Sequence, residues 1–202
     1  MKLLIEKQDL TDLNLDIAPG VKEPLIKRCI HEAQEFDLQQ ALESSTLYLD
    51  LLNQDFTKDD DGSYSALESK YARIWTEWTY TYNSIKYRHI GIKTALCYWS
   101  YARYLAESPI VATRYGIVNK TNDYSNHLEK SALKELIAKY KTQGAVVMDN
   151  VQRFMDRNLK SYNEFYTDET NTTNFKISSF RKETIRDNDD LIYYDDSYEH
   201  NN

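Results

Sequence analysis

"YARIWTEWTYTYNSI", residues 71–85, is the stretch on which the fold class turns. Tyr71, Trp75, Trp78, Tyr82 and Ile85 step by four, three, four and three, the repeat of one face of an α-helix. A helix with an aromatic stripe buries it, and the ordinary place for such a stripe is a core, not a cofactor pocket. Read this way, the stretch is one member of an all-α bundle.

The neighbours extend that reading. The next helix spans about Ile92 to Ala106, with Ile92, Leu96 and Trp99 on one side and Cys97, Tyr101, Tyr104 and Leu105 on another. A helix apolar on most faces belongs in the middle of a bundle. Upstream, Pro24 suits a first helical turn because it lacks an N–H that would go unbonded there. After it Leu25, Cys29, Ile30, Ala33, Phe36 and Leu42 fall near helical spacing. "STLYLDLLNQDF" is a second short helix beginning at a Ser or Thr cap.

The longest element follows a connector at residues 108–124, read as a loop begun by Pro109. Leu133, Ile137, Tyr140, Gly144, Val147, Val151 and Phe154 keep one seam, and the pattern runs on to Tyr162 and Phe165. Starting at a Ser125 or Asn126 cap, such a helix is about 60 Å long at about 1.5 Å per residue. Gly144 on that seam marks either a close helix crossing or a kink.

Both ends differ in character. Residues 1–20 show no clear period and are read as a short N-terminal arm, and residues 21–166 as the helical bundle domain. Residues 167–202 carry nine Asp and Glu against four Lys and Arg, a net of −5 within the chain's −7. This is read as an extended acidic tail. Its apolar clusters, Phe175, Ile177 and Phe180, then Tyr193 and Tyr194, point to ordering against a partner.

Composition narrows the function. A chain of 202 residues buries roughly 70% of its unfolded surface without staples. Cys29 and Cys97 match no ligand spacing and read as reduced core thiols. The start, "MKLLIEKQDL", breaks its apolar run at Glu6, and no stretch nears the ~20 apolar residues of a membrane span. The expectation is a soluble protein made inside the cell, with no membrane partner. A charge of −7 argues against wrapping DNA, yet lets DNA pass without sticking. Seventeen Tyr against six Phe suit protein–protein contact as well as a core with hydroxyls at its edge.

No catalytic motif emerges. His31, His89, His127 and His200 form no ligand pair, and there is neither a phosphate loop nor a nucleophile elbow. "TKDDDGSYSALE", residues 57–68, puts Asp59, Asp61 and Glu68 at calcium-loop positions, but Thr57 stands where the first Asp belongs. A solvated acidic turn is the plainer reading. No enzyme, cofactor or metal site is expected.

Three features together resemble phage head-to-tail connector proteins, the adaptor or ring proteins that dock beneath the portal. They are the arm followed by "IKRCIHEAQEFDLQQAL" and "LYLDLL", the central segment "ALCYWSYARYLAESPIVATRYGIVNKTNDYS", and the long helix with its tail. The wording "YARYL…TRYGIVNKT…YS" is similar to adaptor proteins of crAss-like and related Bacteroidetes phages, over roughly residues 1–165. The resemblance implies a helical, non-enzymatic virion protein at the head–tail junction. It also implies a ring of identical copies, commonly twelvefold, with portal protein, other connector or tail proteins and passing genomic DNA as partners. Arg103, Tyr104, Arg114 and Tyr115, with the tail residues named above, are the candidate partner-binding residues; the competing reading pairs Arg103 and Arg114 with acids of their own subunit. The alternative is a cytoplasmic α-helical interaction or regulatory protein whose C-terminal arm binds one partner.

Overall fold

The described residues of the computed structural model are 2–18, 20–42, 44–59, 63–107, 110–113, 116–119 and 130–162, within the unit Met1–Tyr166. The unit Thr167–Asn202, with the candidate residues Phe175, Ile177, Phe180, Tyr193 and Tyr194, lies outside them. In chain order the elements are α1 (Lys7–Asp12), α2 (Glu23–Glu32), a π-helical stretch (Ala33–Leu38), α3 (Gln39–Leu42), α4 (Ser45–Asn53) and α5 (Ser69–Trp75). Then come β1 (Trp78–Tyr82), β2 (Ile85–His89), α6 (Gly91–Glu107), β3 (Ile110–Thr113), β4 (Gly116–Asn119), α7 (Lys130–Arg157) and α8 (Leu159–Tyr162).

Two antiparallel hairpins correct the all-α expectation, β1 with β2 and β3 with β4. The aromatic stripe is helical only as far as Trp75. Thr76 is extended and ends α5, and from Trp78 onward a second pattern, of period two, takes over. Trp78, Tyr80 and Tyr82 alternate with the β-branched Thr79 and Thr81. Asn83 and Ser84 both have positive φ, 49° and 64°, which makes the tight two-residue turn whose twist suits a hairpin. Trp78 and Tyr82 satisfy both periods, so the helical count was a coincidence of spacing. Residues 110–113 and 116–119 likewise form strands where a loop was expected.

Helix α6 is the centre. Ile92, Ala95, Leu96, Cys97, Trp99, Ser100, Tyr101, Ala102 and Tyr104 are all buried. α1, α2, the π-helical stretch, α5 and α7 pack against it. Gly91 at its start has φ +84°, and a Cβ there would lie 2.3 Å from the Trp75 carbonyl oxygen, so glycine alone permits the turn from β2 into α6. The opening segment adds Leu4, Ile5, Leu10 and Leu15 to the core. Gln34, fully buried, is satisfied by that segment: its Oε1 accepts from Leu4 N–H at 3.0 Å and its Nε2 donates to the Lys2 carbonyl at 3.2 Å. Ser44 caps α4, its Oγ accepting from Leu47 N–H at 3.2 Å.

The expected seam runs along α7 and is buried at Gly144, Val147, Val151 and Phe154. α7 covers 28 described residues, and the expected run to Tyr162 is interrupted after Arg157. The expected cap at Ser125 or Asn126 and the expected end at Phe165 lie outside the described residues. Asn158 ends it, donating from its backbone and side chain to the Phe154 carbonyl. Gly144 marks a close crossing. A Cβ there would sit 2.4 Å from Trp99 Nε1, which donates to the Lys141 carbonyl at 3.2 Å. No described helix is long and apolar enough to cross a membrane.

Gly144→Ala therefore destabilises the chain although alanine is the better helix former by about 1 kcal/mol. The expected net loss in urea unfolding is about 1–3 kcal/mol, the usual cost of overpacking.

Candidate functional site

Arg103 and Tyr104, two of the candidate docking residues, are committed within the chain. The Arg103 guanidinium donates from Nε to Asp37 Oδ2 at 2.6 Å and from an η nitrogen to Glu32 Oε2 at 3.4 Å. It also lies over the Phe36 ring, 5.6 Å from its centroid. Nearby, Arg28 bonds Glu107, so α2 and the last turn of α6 are tied by a ladder of ion pairs. Burial lowers the Arg103 pKa, but the hydrogen bonds and the charges of Asp37 and Glu32 outweigh it and hold the guanidinium charged. Tyr104 is buried, and its hydroxyl accepts from Ala18 N–H at 3.1 Å. Arg114 and Tyr115 lie outside the described residues.

Surface apolar groups lie elsewhere. Phe36 was expected on the buried face of one continuous helix, but it is 62% exposed. The π-helical stretch explains this: its wider turn displaces Phe36 outward and brings Leu38 into the core. Leu49 on α4 and Val146 on α7 are exposed as well. The β1–β2 hairpin supplies the rest.

One face of that hairpin carries Trp78, Tyr80 and Tyr82 from β1 and Ile85, Tyr87 and His89 from β2, in register. Phe154 of α7 meets Tyr80 edge-on, centroids 4.8 Å apart, and lies 4.8 Å from His89. Arg157 stacks over Tyr87 at 4.0 Å and Tyr82 at 5.1 Å, and donates to the Tyr80 hydroxyl at 3.0 Å. The cover is incomplete: Trp78 and Tyr82 remain 40% exposed, and Ile85 more so. The period-two alternation of Trp78, Tyr80 and Tyr82 and of Ile85, Tyr87 and His89 was the available signal, but it does not distinguish a half-covered face from core aromatics.

His89 is the unusual member. It is 2% exposed, and neither ring nitrogen has a hydrogen-bond partner. Burial pushes its pKa down to about 4, against a weak opposing pull from Glu77. The imidazole is therefore neutral in the folded chain near neutral pH. Among the described residues no group of three or more His, Cys, Asp or Glu side chains could hold an ion. In the acidic loop, Asp59 accepts from Ser63 Oγ at 2.9 Å and from Ser65 N–H at 2.8 Å, closing a local turn. Asp61 lies outside the described residues.

Fold and surface together define a mainly helical α+β protein with apolar and aromatic side chains standing out from a core centred on α6. The chain belongs to the family described as "Family of unknown function (DUF6712)", which matches residues 37–175. No curated protein and no solved structure matches it.

Two outcomes follow from the geometry. Arg103→Ala lowers stability by about 1–2 kcal/mol, between the exposed and buried limits for ion pairs, as read by chemical denaturation. A residue serving only an external partner would leave stability unchanged. For His89 the unfolded chain binds more protons between pH 6.5 and about 4. Stability should thus fall as pH drops through that window, by up to about 1.4 kcal/mol per pH unit from this group. His89→Phe removes that share of the slope in denaturation curves taken across the window.

Proposed function

We propose that this protein is a structural subunit of a phage head-to-tail connector, an adaptor that assembles as a ring with copies of itself, contacts the portal and tail proteins, and lets DNA pass. The observation that carries this reading is the spread of exposed large apolar side chains, Phe36, Leu49, Trp78, Tyr82, Ile85 and Val146, over separate elements. Singly exposed apolar residues are normal, but Phe36, Trp78 and Tyr82 each have an arginine over the ring, Arg103, Arg73 and Arg157, and aromatic and Arg side chains are the types that carry interface energy. Arg103 acts in this reading as the clamp that holds Phe36 in place on α2's extension. The net charge of −7 suits a lumen that does not retain DNA. No chemical step is assigned to the chain.

Native mass spectrometry of the full chain, alone and with portal-bearing capsids from the same source, tests the proposal. A ring or a stoichiometric layer on the portal is the expected result. A chain that ignores the portal overturns it in favour of a regulatory interaction protein. Deleting residues 167–202 is expected to weaken the assembly while leaving the melting transition nearly unchanged.

A further inference from the structure

The two edges of the β1–β2 hairpin are not equivalent. Tyr82 and Ile85 close a two-residue turn and so form a hydrogen-bonded pair, as do Tyr80 with Tyr87 and Trp78 with His89. The intervening pairs, Thr79 with Arg88 and Thr81 with Lys86, are the non-bonded ones. Their N–H and C=O groups consequently point outward, away from the partner strand. Along β2 the outward groups belong to Lys86 and Arg88, and charged side chains on an edge are the usual defence against strand addition. Along β1 they belong to Thr79 and Thr81. Both are exposed and neither is charged, and the α7 contacts to β1 fall on the aromatic face, at Tyr80 and Tyr82, not on this edge.

The β1 sequence is also close to a palindrome: Trp78-Thr79-Tyr80-Thr81-Tyr82 reads aromatic, Thr, Tyr, Thr, aromatic in either direction. We propose that β1 is a homodimerisation edge that pairs antiparallel with β1 of a second copy, centred on Tyr80, to make a four-stranded sheet across a two-fold axis. That register places Thr79 opposite Thr81 of the partner subunit, so the outward N–H and C=O groups on each strand meet their complements. It sets Trp78 opposite Tyr82 of the partner subunit on the face where both are now 40% exposed. Cross-strand aromatic pairs and Thr–Thr pairs are both favourable. Charge does not oppose it: Glu77 falls opposite Asn83 of the partner subunit, and the basic residues of β2 stay one strand away from the join. A surface meeting its own copy across a two-fold axis must be self-complementary, and this edge is.

The pairing goes beyond the connector reading and does not rest on it, because an isologous contact closes on two copies and makes no ring by itself. The test uses the full chain in solution, without capsids, by native mass spectrometry and sedimentation across a concentration series. The wild-type chain is expected to be a dimer. Thr79→Lys with Thr81→Lys sets like charges face to face and is expected to give a monomer with unchanged far-UV circular dichroism. Thr79→Lys with Thr81→Glu sets opposite charges face to face in this register and is expected to restore the dimer. A wild-type chain monomeric at every concentration overturns the proposal. So does a dimer indifferent to the paired lysines, or a Lys/Glu variant that stays monomeric. The capsid-binding result is read separately, so either idea can fail alone.

Discussion

Burying α6 also buries polar atoms, and the need to bond them places much of the rest. Trp99, Ser100, Tyr101 and Tyr104 all go into the core with a donor or acceptor attached. Ser100 solves this locally, its Oγ donating to the Leu96 carbonyl at 2.7 Å. The others need distant partners: Tyr101 donates to the Asp16 carbonyl at 3.1 Å, Tyr104 accepts from Ala18, and Trp99 reaches Lys141. An orphaned buried polar group costs about 1–3 kcal/mol, so these bonds fix where residues 16–18 and α7 lie. The tyrosine-rich composition follows the same rule. Tyr162 donates to the Lys70 carbonyl at 3.0 Å and Tyr71 to Asp50 at 3.1 Å, each ring filling the core while its hydroxyl ties down a remote segment.

Where one periodicity ran unbroken, the sequence was readable. The apolar positions of α6 other than Leu105 are buried as their spacing implied. The α7 seam is buried from Gly144 to Phe154 and half-buried at Leu133, Ile137 and Tyr140, and Gly144 is a crossing point. Reading failed where two periods shared residues. Trp78 and Tyr82 fit a helix and a strand equally, and only the threonines between them and the Asn83–Ser84 turn decide for the hairpin. The π-helical stretch defeated the count for another reason. A single widened turn costs no residue type that a pattern would flag, yet it moves Phe36 from core to surface.

The candidate site was less legible than the fold. Arg103 and Tyr104 attract notice because Arg and Tyr favour interfaces, but Asp37, Glu32 and Ala18, far away in sequence, already engage them. Composition cannot separate an arginine that clamps its own chain from one that seizes another. The hairpin face was hidden by its assignment to the core, and its defining property, partial cover by Phe154 and Arg157, is a tertiary fact.

The two cysteines have a practical bearing on all of this. Cys29 and Cys97 are the chain's complete thiol inventory, both are buried, and burial raises each pKa to about 12. Since the thiolate is the reactive form, neither competes for an electrophile in the folded state. A cysteine introduced on the surface would carry a fluorophore or spin label alone, with the native pair left in place and the core packing around α6 undisturbed.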